Sequence, residues 1–105
     1  MPIKLKPGIV YFLRERDFRT GAFTDYCKIG LVAGERTTEQ RVKEHQTGNP
    51  RQIHEEVSVE TPAVDDLETY MHGRFAPWRV SGEWFHLTAD RLQEAIGEAR
   101  SRSGT

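Results

Sequence analysis

An α+β fold, a small and mostly antiparallel three-stranded sheet flanked by helices, is what three features of this sequence predict. Short β-branched and aromatic runs stand in the first two thirds of the chain, apolar residues recur every three to four positions further on, and helix-start signals separate the two kinds of segment. A chain of 105 residues holds one hydrophobic core and not two, so residues 1–105 are expected to form a single domain. Five Phe, three Tyr and two Trp supply much of the apolar area of that core.

Gly8-Ile-Val-Tyr-Phe-Leu13 follows Pro7 and reads as the first strand; Tyr26-Cys-Lys-Ile-Gly-Leu31, with Cys27, Ile29 and Leu31 alternating with polar neighbours, reads as the second. The segment between them, Arg14 to Asp25, carries Arg14, Arg16, Arg19 and Gly21 and is expected to be a long, basic, mobile hairpin connection. Thr37 with Gln40 has the form of a capping box and Gly48-Asn49-Pro50 supplies a stop, so residues 38–47 should be helical. That helix has Val42 alone on its apolar side, so tertiary contacts or a functional face must hold it. Arg41 and His45, four apart, share one of its faces.

Ile53, Glu55, Val57 and Val59 form one row of a third strand, with His54, Glu56, Ser58 and Glu60 on its wet side. Thr61 as N-cap and Pro62 at the first helical position start a second helix with a core stripe of Val64, Leu67, Met71 and Phe75, and Pro77 ends it. Gly82 to Leu87 is a short extended aromatic piece. Thr88 then caps a last helix, to about residue 100, whose narrow apolar face is Leu92, Ala95, Ile96 and Ala99; residues 101–105 should fray.

The longest apolar run, Ile9 to Leu13, is far below the roughly 20 residues of a bilayer span, and no secretory leader pattern opens the chain. One cysteine, Cys27, excludes an internal disulfide framework; it is read as a strand residue in a chain expected to be cytoplasmic. Four histidines without metal spacing give no zinc site, and His54 and His86 read as exposed strand residues. Residues 1–54 hold ten Lys or Arg against six Asp or Glu, and residues 55–105 hold five against ten. That asymmetry permits a polyanion partner without requiring one.

Tyr11, Lys28, Arg41 and Glu68 are polar residues on or beside core-forming elements. Singly, each has an ordinary structural explanation as a strand aromatic, a solvent-facing strand residue, a surface ion pair or a helix-surface charge. Together they resemble a family. Gly8-Ile-Val-Tyr11, Lys28-Ile29-Gly30, Arg41 with His45, and Leu67-Glu68 follow in the order of the motifs of the GIY-YIG endonuclease superfamily, across residues 8–87. Thr47-Gly48-Asn49-Pro50, His72 with Arg74-Phe75, and Gly82-Glu83-Trp84-Phe85 are similar to its short, phage-related branch. The first motif has one residue more than the family's, and Lys28 stands where the family carries tyrosine, a role that Tyr26 on the same strand face would share.

The resemblance implies a metal-dependent DNA endonuclease with Tyr11, Lys28, Arg41, His45 and Glu68 in the site, Tyr11 as general base and Glu68 as ligand of Mg²⁺ or Mn²⁺. The chemistry asks for such groups. Attack of water on a phosphodiester builds charge on phosphoryl and leaving oxygens, which a planar guanidinium such as that of Arg41 and a carboxylate-held cation would stabilise. A free phenol has a pKa of about 10, so Tyr11 needs a neighbouring cation such as Lys28 or a second base, and His45 can take that proton. His72 is an auxiliary position read as a helix-face residue rather than a second ligand, and Glu83 either closes the site or pairs with Arg41. Arg14, Arg16, Arg19, Arg36, Lys43 and Arg51 are the expected contacts to DNA, with RNA and a dimer left open. The alternative reading is a nucleic-acid-binding module of the same fold that has lost cleavage.

Overall fold

Val10, Tyr11, Phe12 and Leu13 are all buried, so both faces of the first strand are covered, as a central strand requires. The computed structural model describes residues 6–33, 38–47, 49 and 51–103. In it this strand, β1 (Gly8–Arg16), is paired antiparallel to β2 (Phe23–Ala33) on one side and β3 (Gln52–Thr61) on the other. Two short strands, β4 (Arg79–Ser81) and β5 (Trp84–His86), complete a five-stranded antiparallel sheet of order β3-β1-β2-β5-β4.

Five strands replace the expected three because the aromatic piece folds back on itself. Gly82, at φ 55°, makes the turn that lets β4 pair with β5, and β5 in turn pairs with Tyr26–Lys28. The long basic connection is likewise shorter than expected. Polar residues Arg14–Arg16 and Phe23–Asp25 continue the two strands, leaving a turn at Asp17–Ala22. The Asp17 carboxylate fastens that turn by accepting from the Arg19 and Thr20 amides at 2.8 and 3.0 Å, which holds its pKa below the ordinary value, and Gly21 takes a φ of 73°.

A bulge corrects the reading of β3. Phe12 faces Val57 but Leu13 faces Glu55, so the strand gains a residue there and its faces exchange. Val59 consequently belongs to the large core while Ile53 joins Tyr11 and Leu13 on the opposite face, and the two are not one row.

The first helix, α1 (Thr38–Gln46), lies over the Tyr11 face. Its single apolar contact is Val42, and polar tethers do the rest: Thr38 Oγ1 meets Ser58 Oγ at 3.3 Å, and the Gln46 amide accepts from Ile53 N at 2.8 Å and donates to Arg51 O at 2.9 Å. The Thr37 cap and the Gly48 and Pro50 stop fall outside the described residues. On the other face α2 (Val64–Arg74) and α3 (Ala89–Arg102) bury Val64, Leu67, Met71, Leu92, Ala95, Ile96 and Ala99 against Val10, Phe12, Ile29, Val59 and Phe85, with Phe75 at the end of α2. The expected start of α2 is displaced by two residues, since Thr61 is claimed by β3 and its Oγ1 accepts from Ala63 N at 3.2 Å. A 3-10 turn at Ala76–Trp78 follows α2.

Thr88 does cap α3, accepting from Arg91 N. Residues 101–103, expected to fray, continue it: Ser103 is buried and its hydroxyl donates to Arg100 O at 2.7 Å. Among the described residues no helix is long and apolar enough to cross a membrane. Cys27 lies in the core, where burial pushes its thiol up to about 12 and leaves it unreactive.

Candidate active site on the α1 face of the sheet

Alternation along β1 turns Ile9, Tyr11 and Leu13 to the face covered by α1, and the register with β2 sets Tyr11 opposite Gly30 and Leu13 opposite Lys28. Gly30 is a glycine for a packing reason. A Cβ there would stand 2.4 Å from the Tyr11 hydroxyl oxygen and 2.5 Å from Cζ, so the phenol ring lies directly on the glycine backbone. The sequence had shown Gly30 only as part of a motif; its function is the floor of the site.

The Tyr11 hydroxyl meets two residues one turn apart on α1. Arg41 donates through Nε to its oxygen at 3.3 Å, and His45 Nε2 stands at 3.5 Å, placed to receive the phenolic proton. The expected assisting cation, Lys28, is thus replaced in that role by Arg41. Burial nonetheless wins over the guanidinium and raises the Tyr11 pKa above its ordinary value, so the phenol is protonated at neutral pH. The bond to Tyr11 raises the Arg41 pKa. His45 is shifted the other way, down, first by burial and then by the positive charges of Lys28 and Arg41, so its imidazole is neutral at pH 7.

Arg41 also donates through Nη1 to Glu44 at 2.7 Å, a partner the i,i+3 spacing on α1 made legible. Glu83 pairs with Lys28, at 3.5 Å between Oε2 and Nζ, and not with Arg41. The Lys28 ammonium is also 5.9 Å from the centre of the Trp84 ring.

Glu68 approaches from the other side of the sheet. One turn further along α2, His72 donates through Nε2 to Ile29 O at 2.8 Å, with its ring edge-on to Phe85. Ile29 lies just past the last β2 residue that β5 pairs; its N–H still donates to Glu83 O at 3.0 Å, and its carbonyl is the group left for α2. His72 is therefore a tether between α2 and β2, a contact that its reading as a helix-face residue did not include. Glu68 Oε2 is shielded from solvent, and among the described residues no group hydrogen-bonds to it. Burial first and the Glu83 charge second raise its pKa, partly offset by His72 and Lys28. Glu83 Oε2 is likewise without a hydrogen bond, its contact with Lys28 being an ion pair only.

Glu68 Oε2, without a hydrogen bond, and Glu83 Oε2, held by Lys28 alone, are hard oxygens of the kind that a divalent cation keeping most of its waters accepts. Among the described residues no cluster of three or more His, Cys, Asp or Glu forms a fuller ligand cage. Tyr26, 39 % exposed, lies two positions from Lys28 toward the hairpin, with its ring edge-on to His86 at 5.5 Å.

The basic residues are scattered differently. Arg14 and Arg16 point to the opposite face, where both guanidiniums lie near the Phe23 ring, at 4.3 and 5.8 Å; Arg14 pairs with Glu56 and Arg16 donates to Gln52. Arg51 pairs with Glu15 at 3.6 Å, Arg19 sits on the exposed turn, Lys43 on the exposed side of α1, and Arg36 lies outside the described residues.

The resemblance to GIY-YIG endonucleases rested on short pieces, and packing accounts for several of their residue types. Gly30 floors Tyr11, and a Cβ at Gly8 would meet Val32 O at 2.4 Å. The family that matches is a different one and overturns that assignment. Comparison with curated proteins and with solved structures finds no match. The model of the T5orf172 domain, a phage-associated domain, runs from the first residue of β1 into the last turn of α3, residues 8–100, and the chain belongs to the T5orf172 domain family.

Proposed function

We propose that the chain is a hydrolase of DNA phosphodiester bonds with one catalytic site, formed by Tyr11, Lys28, Arg41, His45 and Glu68. The observation that carries the reading is the Tyr11 hydroxyl held between a guanidinium at 3.3 Å and a neutral imidazole at 3.5 Å, with the Lys28–Glu83 pair beside it and Glu68 reaching the β2 edge from the other side of the sheet. The shielded Glu68 oxygen has neither a hydrogen bond nor an ion pair among the described residues and would repel phosphates, so a module that only binds gains nothing from it.

In the reaction, the oxygen of water bonds to phosphorus while its proton passes to the Tyr11 oxygen. The proton that Tyr11 already carries moves to His45 Nε2. Arg41, donating to that same oxygen, limits the negative charge that Tyr11 acquires in the exchange. The bond from phosphorus to the leaving 3'-oxygen breaks, and that oxygen takes a proton from solvent. Arg41, through its remaining N–H groups, and Lys28 receive the phosphoryl oxygens. Glu68, with Glu83 beside it, would hold Mg²⁺ or Mn²⁺, which when bound supplies positive charge at the leaving oxygen.

The test is supercoiled plasmid incubated with the protein and Mg²⁺ or Mn²⁺, beside EDTA and the Glu68→Gln variant, read on a gel. Nicking by the unaltered protein alone is expected, with Glu68→Gln retaining DNA binding. A second reading, binding without cleavage, is favoured by one observation, that Arg41 and Lys28 are already paired with Glu44 and Glu83. Intact plasmid throughout, with retardation that weakens steeply with salt, would establish it in place of the hydrolase.

A further inference from the structure

The face that carries Tyr11 continues past Lys28 into a shallow groove of about 240 Å³ lined by Glu15, Tyr26, Val80, Ser81 and Trp84. Tyr26 and Trp84 flank Lys28 on this face: Tyr26 is two residues along β2, about 7 Å, and Trp84 is its direct partner on β5. Val80 on β4 is 56 % exposed and Tyr26 39 %, so apolar surface lies open to solvent at the edge of a polar site.

We propose that this groove is a subsite for one unpaired nucleobase, next to the phosphate held at Lys28 and Arg41. The proposal rests on the hydrolase reading above and specifies its substrate as a strand with a base out of the duplex stack. Three observations select that occupant. The volume falls below the roughly 300–1,000 Å³ of sites for drug-sized ligands, which suits a single planar heterocycle. Two aromatic side chains and Val80 offer apolar contact that any base can use, because every base has a π-face. The cation open to phosphate on this face is Lys28, whereas the Glu15 carboxylate in the groove wall is already engaged by Arg51 at 3.6 Å and by Asn49, so the groove offers a phosphate no positive charge and suits the base rather than the backbone.

A base paired within a duplex cannot enter such a groove without leaving its stack, so single strands, flaps and bulges are the favoured substrates. The sheet also supplies the right continuity, since Lys28 lies between Tyr11 and the groove on one face.

The experiment measures binding in EDTA, so that no cleavage is required, with fluorescein-labelled single-stranded oligonucleotides and abasic strands of the same length. The unaltered protein is expected to bind the base-bearing strand about tenfold tighter than the abasic one. Tyr26→Ala should erase most of that preference while leaving abasic affinity unchanged, and Tyr26→Phe should restore it. Trp84→Phe, which keeps a ring against the Tyr11 cluster, should retain the preference. Equal affinity for the two strands overturns the subsite, as does a Tyr26→Ala variant weakened equally toward both. In either case plasmid nicking would leave the hydrolase reading standing. Binding to neither strand overturns the subsite, and the hydrolase reading falls with it only where plasmid nicking is absent as well.

Discussion

On one face of the sheet Val10, Phe12, Ile29, Val59 and Phe85 are sealed beneath α2 and α3. On the other, Tyr11, Leu13, Val32 and Ile53 form a smaller cluster, and α1 reaches it with one half-buried valine and a series of hydrogen bonds. The same strands build both faces, because alternate residues point opposite ways. The contrast teaches that apolar burial and polar contacts are divided between the faces. The apolar face excludes water from most of the fold, which leaves the α1 face able to carry a buried phenol and two ion pairs that contribute little to stability.

The sharpest way to break that division is Phe12→Ala. Truncating a fully buried aromatic should cost about 3–5 kcal/mol, measured by urea unfolding, and a loss below about 1 kcal/mol would show that the apolar face does not carry the fold. Its neighbour on the opposite face should behave in reverse. Tyr11→Phe should change stability by no more than about 1 kcal/mol and reduce DNA cleavage about 10²- to 10⁴-fold, and an active variant would remove the phenol from the chemistry.

A smaller effect separates the charges around His45. Its pKa lies below 6.5 because burial, Lys28 and Arg41 oppose its protonation, so cleavage should rise with pH along a limb below that value. Lys28→Gln removes one of those charges and should move the limb upward toward the ordinary value; a rate–pH profile displaced downward, or not at all, would contradict the assignment of His45 as base.

The smallest expected effect is on melting temperature. Glu68 binds a proton more tightly in the folded protein than in the unfolded chain, since its folded pKa is raised, so its ionisation destabilises the fold as pH rises above about 4.5. In EDTA, Glu68→Gln should therefore raise the melting temperature at pH 7, with the gain vanishing as the solution is acidified through the carboxylate range. A lowered melting temperature at pH 7 would mean that Glu68 is a structural ion-pair partner.

Elements with strong local signals were legible in the sequence. The stripe Val64, Leu67, Met71 and Phe75 buries as its spacing implies, and Thr88 caps α3 through its own hydroxyl. What escaped notice lacked a local signal. Arg14–Arg16 and Phe23–Asp25 read as loop because they are polar or turn-adjacent, yet they form strands because β1 and β2 satisfy each other's backbone groups whatever the side chains. The bulge in β3 could not be read from Ile53 and Val59, whose even spacing suggests one face. In the candidate site, the sequence named Tyr11, Arg41, His45, Lys28 and Glu68 but not their pairing, and it missed Glu44 as the Arg41 partner and Gly30 as the floor under Tyr11.

By itself, then, the sequence determined the alternation that gives β1 two different faces, the helical stripes that cover one of them, and the supply of polar residues for the other, all of which follow from side-chain period and local backbone preference. Only the tertiary structure decided which polar groups meet. The β1–β2 register brought Tyr11 onto Gly30, the tethering of α1 brought Arg41 and His45 to the phenol, and the Ile29 carbonyl gave α2 its hold on β2 from the opposite side of the sheet. The hydrogen bonds of Tyr11 to Arg41 and His45 and of His72 to Ile29 join residues 30 and more positions apart, and no local propensity encodes a distance across the fold.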